Sequence, residues 1–378
     1  MNPLVSWSKA EPMLNLTLIP CGWGMTSSSG MATPDKTAGI KLMRMYFPRT
    51  YQELIQHDFI VFEHMFMDFL TPGQIDDLAR SIEIEGLGGY VAIGGVTNQG
   101  LVPNFGWINS RLSEIFPSKA SEEIFDQWRV YPFGRGGRIK INEDPYLAPV
   151  LKMFIPLGMD NIRVTHSYLM IAKEGAKIWA RSIDGKDDPP FLISWTCGKA
   201  ETWSNNIGMT YAWWFFRDPN MGGNPFALDV FMNMLHYSMG TDMPSDILLV
   251  HAARKAFMDY EDTKASLFTL ADFADRFGAN MNVIYDEIRD ADMVRDRGRE
   301  AYLAQQYDGS LDLLREAKEM LLATVEHAIR LKNRALLWTY VIEWFVVLST
   351  LIISGEFIYI VMVQRRLFRE AARTRLAR

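Results

Sequence analysis

A long apolar segment near the C-terminus constrains this chain more than any other feature. Residues 335–363 read ALLWTYVIEWFVVLSTLIISGEFIYIVMV, 29 residues with only two charged side chains, Glu343 and Glu356. A helix needs about 20 apolar residues to cross the hydrocarbon layer of a membrane. Aromatic residues such as Trp338 and Tyr359 lie toward its two ends, as they do at membrane interfaces. The segment therefore predicts one transmembrane helix over 335–363; a buried core helix is the alternative.

The flank that follows the apolar segment predicts an orientation. Residues 364–378 read QRRLFREAARTRLAR, with six arginines and one glutamate. Short arginine-rich flanks stay in the cytoplasm, so we expect a basic cytoplasmic tail and a single-pass protein of the cell membrane. Most of the chain then lies outside the cytoplasm. The N-terminal residues MNPLVSWSKAEPM do not resemble a signal peptide. Three interpretations follow: a leader ahead of the given start, which we favour, export directed by the helix itself, or a cytoplasmic domain.

Glu356 is the unusual residue of the predicted span. A carboxylate at membrane depth is costly, and it is normally paired or protonated. One interpretation is a contact with a basic or polar group of another membrane subunit. The other is that Glu356 reaches the interface or carries a proton.

The composition excludes some classes of protein. Hydrophobic residues make up 48% and charged residues 22%, which is typical of a folded core and not of disorder. The net charge of −6 argues against nucleic acid as a partner. Two cysteines, Cys21 and Cys197, do not make a disulfide framework or a four-cysteine zinc site, and whether they bond to each other stays open. The histidines lack zinc-binding spacings, so we expect no metal and no cofactor.

The order of apolar runs predicts an α/β domain over residues 1–240. Short strand-like runs alternate with helix-like runs, which is typical of a mostly parallel sheet covered by helices on both faces. Thr71 before Pro72 predicts a helix start. The predicted strands span residues 13–19, 41–47, 58–64, 88–95, 177–183, 191–195, 200–205 and 210–216.

The remaining residues before the span predict helices only. Strand patterns end after Gly240, and residues 241–309 read as a helical region. From Ser310, apolar residues recur at three- and four-residue spacing through 310–334, which predicts a stalk helix that continues into the membrane. This stripe favours packing on a neighbouring helix, in the same chain or in a second copy.

Four segments of the α/β region carry a resemblance to a known family. They are YFPRTYQELIQHDFIVFEH, LTPGQIDDLARSIEIEGLGGYVAIGG, WINSRLSEIFP and PFLISWTCGKAETWSNN. In their order, and in the glycine pair Gly94-Gly95, the first ~240 residues resemble the class I glutamine amidotransferase-like superfamily, and in particular its membrane-associated members without catalysis. The resemblance implies a flavodoxin-like, doubly wound fold.

The same resemblance implies that the amidotransferase reaction is absent. Catalytic members carry a cysteine between glycines at the end of the strand that matches GYVAIGG. This chain reads Ile93-Gly94-Gly95-Val96-Thr97 there, and the region that matches the family's His-Pro-Glu partner, residues 210–218, contains no histidine. We therefore expect the fold without the reaction.

Ligands of open parallel sheets bind at the carboxyl ends of the strands. Glu63 and His64 are the first pair to consider there, although neighbouring strand residues point to opposite faces. A hydrolase with a relocated site that uses Glu63, His64 or Cys21 is the enzyme alternative; structural roles are the other. The candidate ligand edge comprises Cys21, Trp23, Glu63, His64, Gly94, Gly95, Thr97 and Asn98.

Three hypotheses follow for the function. The first is a membrane-anchored, extracytoplasmic binding domain that recognises another envelope protein, a glycan or a copy of itself. The second is the hydrolase with a relocated site. The third is a subunit of a membrane complex that assembles through the stalk and Glu356 within the lipid bilayer.

Overall fold

The computed structural model describes residues 3–19, 36–63, 67–92, 98–99, 102–103, 105–119, 128–130, 137–164, 166–168, 170–183, 188–208 and 224–376. Packing divides the chain into two units, Met1–Arg254 and Lys255–Arg378, which are described separately below.

The first unit contains seven α-helices and eleven strands within the described residues. The helices are α1 (Pro3–Ala10), α2 (Lys36–Tyr46), α3 (Tyr51–Leu54), α4 (Pro72–Arg80), α5 (Phe105–Ile108), α6 (Arg111–Ile115) and α7 (Ala227–Met239). The strands are β1 (Phe59–Phe62), β2 (Gly88–Ala92), β3 (Asn98–Gln99), β4 (Val102–Pro103), β5 (Trp128–Val130), β6 (Gly137–Ile141), β7 (Arg163–Val164), β8 (His166–Tyr168), β9 (Lys177–Ile183), β10 (Pro190–Cys197) and β11 (Ala200–Asn205).

Seven of the described strands form one mixed sheet in the order β1-β2-β11-β10-β9-β6-β7. Strand β2 pairs in parallel with β1 and with β11. The other four pairings, from β11 through β10, β9 and β6 to β7, are antiparallel. The α/β class is confirmed, but the prediction of a mostly parallel sheet holds only at the β1–β2–β11 edge. It is wrong elsewhere, because β9, β10 and β11 follow one another through short connections. Consecutive strands with such short connections pair antiparallel.

Helix α4 forms where its start signal predicts. The Thr71 side chain accepts a hydrogen bond from the Gln74 backbone N–H, and the Gln74 side-chain oxygen accepts one from the Thr71 N–H, with Pro72 in the first turn. This reciprocal cap satisfies donors that a helix start leaves unpaired. The helix continues as a π-helical turn over Ser81–Glu85 and ends at Gly86, whose φ is +90°. The chain then enters β2, which completes a β1–α4–β2 unit.

Helices cover both faces of the parallel part of the sheet. On one face, the Thr202 hydroxyl donates to the carbonyl of Ile115 at the end of α6. On the other, the Trp203 indole N–H donates to the Ser238 hydroxyl of α7. Two helical layers therefore enclose β2 and β11. The core of the first face contains Met43, Phe47, Leu54, Phe62, Leu78, Ile82, Val91, Trp107, Leu112, Ile115, Phe116 and Ile193.

Two predicted strands are wrong, and one predicted strand lies outside the described residues. Residues 13–19 belong to no helix or strand, although they border β1 along a cleft. Residues 41–46 belong to α2, and the predicted strand at 41–47 fails because Met43 and Phe47 are buried four positions apart, a helical spacing. The predicted strand at 210–216 is not among the described residues.

The second unit contains the end of α8 (Ile247–Asp275), α9 (Asn282–Leu303) and α10 (Tyr307–Leu376). Segments of these three helices enclose one apolar core, which agrees with the predicted helical region and with the predicted packing of the apolar stripe on the stalk helix. The core contains Tyr260, Leu267, Ala271, Ala274, Ala279, Met281, Ile284, Ile288, Ala291, Ala317, Leu321 and Ala328.

Helix α10 is continuous from the bundle through the predicted span. It begins at Tyr307, three residues before the predicted start at Ser310, and runs for 70 residues. At 1.5 Å per residue, it is roughly 105 Å long. No break separates the packed part of this helix, which extends to Leu331 and Ala335, from the rest of the apolar segment 335–363.

Candidate functional site

The carboxyl ends of β1 and β2 lie next to each other, because the strands are parallel and Phe62 is opposite Val91. Glu63 follows β1 directly and is only 8% exposed. Among the residues of the predicted ligand edge, Glu63 is the one whose side chain the structure describes. Asn98 begins β3, and only its backbone is described. The described ranges leave out Cys21, Trp23, His64, Gly94, Gly95 and Thr97, so their convergence on Glu63 stays a prediction.

A cleft of about 180 Å³ runs beside β1 and reaches Glu63. Clefts that enclose a drug-sized ligand typically have volumes of ~300–1,000 Å³, so the cleft between the described walls has room only for a smaller chemical group. The polar residues of its wall are Asn15, Thr17, His57 and Glu63. The remaining wall is apolar, with Leu4, Leu16, Leu18, Ile19, Met43, Tyr46, Phe47, Pro48, Leu54, Phe59, Ile60, Val61, Phe62 and Leu87.

A buried carboxylate, Glu201, organises a polar network on β9, β10 and β11. Its Oε1 accepts from the Ser194 hydroxyl at 2.6 Å, and its Oε2 accepts from the Thr196 hydroxyl at 2.8 Å. Lys177 Nζ lies 3.1 Å from Oε1 and donates to the Tyr237 hydroxyl of α7. Burial alone lowers the pKa of Lys177, but its hydrogen bonds to Tyr237 and Glu201 outweigh burial and raise it. Hydrogen-bond donors surround the Glu201 carboxylate, and the bond from Lys177 to Tyr237 connects this network on the sheet to α7.

A second buried cluster joins α1, α7 and α8 through Arg254. Its Nε donates to Glu11 Oε2 and its Nη1 to Asp229 Oδ1, both at 2.6 Å. The other oxygen of Asp229 lies 2.7 Å from Nδ1 of His251. Arg254, Glu11 and Asp229 are at most 2% exposed. Charges this deep are tolerated because they pair with one another. Sequence reasoning missed the cluster, since its members are up to 243 positions apart.

Lys173 is a half-buried amine of the α/β unit. Its Nζ donates to the carbonyls of Ser113 and Glu114 at the end of α6, and it lies 4.7 Å from the centroid of the Trp195 ring. Burial lowers the pKa of Lys173 to about 8, against the opposing influence of Cys197 and Glu114. Cys197 is a free thiol, and burial followed by Glu83 raises its pKa. A raised thiol pKa disfavours the thiolate, so this cysteine is a poor nucleophile.

Metal binding has no candidate group in the part of the chain that the structure describes. There, no three histidine, cysteine, aspartate or glutamate side chains lie together in a way that could hold an ion. Two of the described histidines have other partners: His236 Nδ1 lies 2.8 Å from the Thr241 hydroxyl, and His327 Nδ1 lies 2.8 Å from Glu287 Oε1.

The apolar segment of α10 is exposed throughout residues 342–363. Within the described residues, α10 is the one helix that is long and apolar enough to cross a membrane, and its most apolar part is entirely exposed. Trp344, Phe345, Ile352, Ile353 and Phe357 each expose about two thirds of their surface. Soluble monomers rarely expose apolar patches larger than a few hundred Å². Single-pass anchoring is compatible with this helix.

Comparisons with known proteins name no family for this chain. No protein-family model matches it, and no curated protein matches it. Its structure is similar to that of the cytoplasmic protein STM3548 from Salmonella typhimurium, with a TM-score of 0.43 and 15% identity over 53% of this chain and 78% of the other. It is also similar to the cytoplasmic protein STM1381 from Salmonella typhimurium LT2, with a TM-score of 0.41 and 18% identity over 51% and 76%. The function has to be argued from the chain's own residues.

Proposed function

We propose that this chain is a single-pass membrane protein whose α/β unit is a binding domain without amidotransferase activity. The observation that carries the proposal is helix α10. Its first half buries Ala317, Leu321 and Ala328 in a helical core, whereas the apolar segment touches that core with its first residue, Ala335, and its most apolar part is entirely exposed. A helix that is packed in one half and apolar but unpacked in the other needs an apolar surrounding for the second half, and a bilayer provides it.

The dimensions of the segment fit a bilayer. Its 29 residues span roughly 44 Å at 1.5 Å per residue, more than the ~30 Å of the hydrocarbon core. Trp338 and Tyr340 are exposed near its beginning, and Arg365 and Arg366 follow its end. Aromatic and basic residues of this kind anchor a helix at both interfaces. The arginine-rich tail lies on the cytoplasmic side in this proposal, and the α/β unit lies outside the cytoplasm, at the cell envelope.

The α/β unit is proposed as a flavodoxin-like, glutamine amidotransferase-like domain that has lost its reaction. The parallel strands β1, β2 and β11 between two helical layers support the relationship. The sequence at residues 93–97 lacks the cysteine of the catalytic members. Two of the buried carboxylates, Glu201 and Asp229, bind side chains of the same unit. These charges hold the fold together, which suits a domain that binds an envelope protein, a glycan or a second copy.

Membrane extraction tests the anchoring directly. In the variant Val346→Arg/Ile353→Arg, two exposed apolar residues of the span become charged, at about 2.5–3.5 kcal/mol each near the bilayer centre. We expect the native chain to stay in carbonate-washed membranes and the variant to be released. The matched control is Leu322→Arg, an exposed leucine of the same helix ahead of the span, which should stay membrane-bound. A native chain found in the soluble fraction would refute the anchoring.

Two further measurements test the orientation and the absence of the reaction. Protease added to intact cells should degrade the α/β unit and spare the tail, whereas inverted vesicles should give the reverse. Purified full-length protein in detergent should release no ammonia from glutamine. Degradation of the tail in intact cells would overturn the orientation, and glutamine hydrolysis at enzymatic rates would overturn the loss of the reaction.

A hydrolase with a relocated site is a second candidate, and the position of Glu63 favours it. This carboxylate lies at the end of a parallel strand, buried in the wall of the cleft beside β1. Esterase and glycosidase substrates should then be turned over by the native chain and not by Glu63→Gln, while the exposed Glu174→Gln variant keeps the activity. Equal rates in all three proteins would exclude Glu63 as a catalytic residue.

A subunit of a membrane complex is a third candidate, and Glu356 favours it. Its side chain is exposed on the apolar part of α10, where a carboxylate needs a partner or a proton. Glu356→Leu should then change the size of the complex in mild detergent, whereas Glu343→Leu, beside the aromatic residues at the start of the span, should not. An unchanged size in Glu356→Leu would count against assembly through this residue.

A further inference from the structure

The connection between α8 and α9 forms a closed tip, which we call the hairpin tip and define as residues 273–281. Helix α8 ends at Asp275, and Gly278 follows with a φ of +78°. The Ala279 N–H donates to the Ala274 carbonyl, and the Gly278 N–H donates to the Asp275 carbonyl. This pair of hydrogen bonds closes a helix end in a fixed geometry, because the left-handed glycine turns the chain back. The hairpin tip is therefore an ordered end of the helical bundle.

An ion pair between α8 and α10 fixes the level of the hairpin tip along α10. Lys318 Nζ of α10 lies 2.8 Å from Asp259 Oδ2 of α8, and the two helices run in the same direction in this up-down-up arrangement. Asp275 lies about 16 residues beyond Asp259, and Arg334 lies about 16 residues beyond Lys318. Both distances are roughly 24 Å at 1.5 Å per residue. The end of α8 is therefore level with Arg334, immediately before the apolar segment.

A second ion pair gives the same level by another route. His327 Nδ1 of α10 lies 2.8 Å from Glu287 Oε1 of α9. Helix α9 begins at Asn282, about five residues before Glu287, and it runs antiparallel to α10. Asn282 is therefore level with a position about five residues beyond His327, near Lys332. Ala279 and Met281 of the hairpin tip share a buried core with Ala328, which agrees with this register.

Two aromatic side chains are exposed on the hairpin tip. Phe273 is 45% exposed and Phe277 is 37% exposed, and their ring centroids lie 4.9 Å apart. They are one helical turn apart and form a single apolar spot. The rings lie level with the beginning of the span, where Trp338 and Tyr340 are also exposed. Arg276, between the two phenylalanines, is 74% exposed and pairs with the exposed Asp272 one turn earlier at 2.8 Å.

We propose that the hairpin tip docks on the lipid surface, with Phe273 and Phe277 inserted among the headgroups beside the point where α10 enters the membrane. The inference rests on the proposed membrane crossing and adds a second contact to it. A lipid surface is the occupant because the spot is level with the beginning of the span, so the membrane that receives 335–363 reaches these rings as well. Aromatic rings flanked by a cation are typical of groups at this depth.

Photolabelling of the full chain tests the proposal without any substitution. The protein is reconstituted in phosphatidylcholine vesicles that contain a phosphatidylcholine with a diazirine near its headgroup, and labelled peptides are mapped by mass spectrometry. We expect labels on residues 273–277 as well as on the beginning of the span. Met293 is the internal control, since it is 56% exposed on α9 but roughly 20 Å below the tip, and it should stay unlabelled.

The outcomes separate the docking from the anchoring. A labelled span with an unlabelled hairpin tip overturns the docking and leaves the proposed anchoring in place. An unlabelled span and tip overturn both. Cross-links from the tip to a second copy instead of lipid also overturn the docking. The variant Phe273→Ser/Phe277→Ser should lose tip labelling and keep span labelling, whereas Met293→Ser should change neither; tip labelling that persists in the double variant contradicts insertion of these rings.

Discussion

Gly198→Ala is expected to strain the contact between the β10–β11 hairpin and the end of α4. Gly198 and Lys199 form a two-residue connection between Cys197 and Ala200, which pair across the hairpin. The φ of Gly198 is +60°, as the first position of a type II′ turn requires. The Lys199 N–H donates to the Glu83 carbonyl at 3.0 Å, so the turn rests directly on the π-helical turn that follows α4.

The magnitude follows from the space around this glycine. A β-carbon at Gly198 would lie 2.0 Å from the Glu83 carbonyl oxygen and 2.7 Å from the Glu83 Cα, both main-chain atoms that no side-chain rotation moves away. Overpacking costs about 1–3 kcal/mol, loss of the Lys199 hydrogen bond costs about 1 kcal/mol, and a left-handed alanine costs about 1–2 kcal/mol. The variant should therefore lose about 3–6 kcal/mol of unfolding free energy.

Gly240→Ala is the matched control. Its φ is +65°, yet no heavy atom lies within 4 Å of the added β-carbon. This variant also places an alanine in the left-handed region, at a cost of about 1–2 kcal/mol, and it changes the conformational entropy of the unfolded chain in the same way. It introduces no steric clash. The difference between the two variants, about 2–4 kcal/mol, isolates the contact with Glu83.

Thermal unfolding of the full chain in detergent measures the difference, with near-UV circular dichroism as the signal. Trp195 and Trp203 lie on the two strands of the hairpin and report on its packing. At about 2–4 °C per kcal/mol for a domain of this size, Gly198→Ala should unfold roughly 5–15 °C below Gly240→Ala. Equal midpoints would refute the reasoning, because the steric contact would then have no consequence.

Two other predictions concern charged groups of the first and second units. Arg254→Met should lose about 3–5 kcal/mol of unfolding free energy, because it leaves two buried carboxylates without their cation. Arg276→Met removes a 74% exposed arginine and should change the unfolding free energy by less than about 0.5 kcal/mol. Urea titration measures both losses, and equal losses would contradict the burial argument. Lys173 should react with an amine-directed acylating reagent along a titration curve with its midpoint near pH 8, since burial lowers its pKa and the neutral amine accumulates above that pH. The unfolded chain in denaturant should show a midpoint near 10.4, and the same midpoint in the folded chain would show that Lys173 is not held as described.

The elements that the sequence predicts correctly are those with a local signal. Helix α4 has its start encoded in Thr71, Pro72 and Gln74, and the structure contains that cap. The strands β9, β10 and β11 are apolar runs separated by turn residues, and all three form. Their direction, however, depends on which strands become neighbours. Strand β2 joins β11, more than 100 positions away, and no short-range pattern encodes that choice.

Two errors arose from the composition of short segments, one apolar and one polar. The run at residues 41–47 is helical because Ile40, Met43 and Phe47 recur at three- and four-residue spacing on one packed face. Strand β6 was missed, although Gly137–Ile141 alternates in the way a half-buried strand does, with Ile139 and Ile141 buried between exposed Arg138 and Lys140. The polar composition around it concealed a period of two.

The candidate site was predictable only in part. The end of β1 follows from the strand pattern, so Glu63 could be placed at the edge of the sheet. The ionic cluster of Glu11, Asp229 and Arg254 could not, because Glu11 follows α1 while Asp229 and Arg254 lie on two distant helices, and each resembles a surface charge in the sequence. The level of the hairpin tip likewise depends on the register that Lys318 and Asp259 set between helices.

The uninterrupted course of α10 fixes an angular phase between the helical bundle and the membrane. Each residue of an α-helix advances 1.5 Å and turns about 100°. One residue inserted between Arg334 and Ala335 would therefore rotate the face of the bundle by about 100° relative to Glu356, whereas seven inserted residues would nearly restore the phase and shift the bundle by roughly 10 Å. In the proposed arrangement, the direction in which Glu356 points from the span is therefore set, residue by residue, by the direction in which the bundle faces.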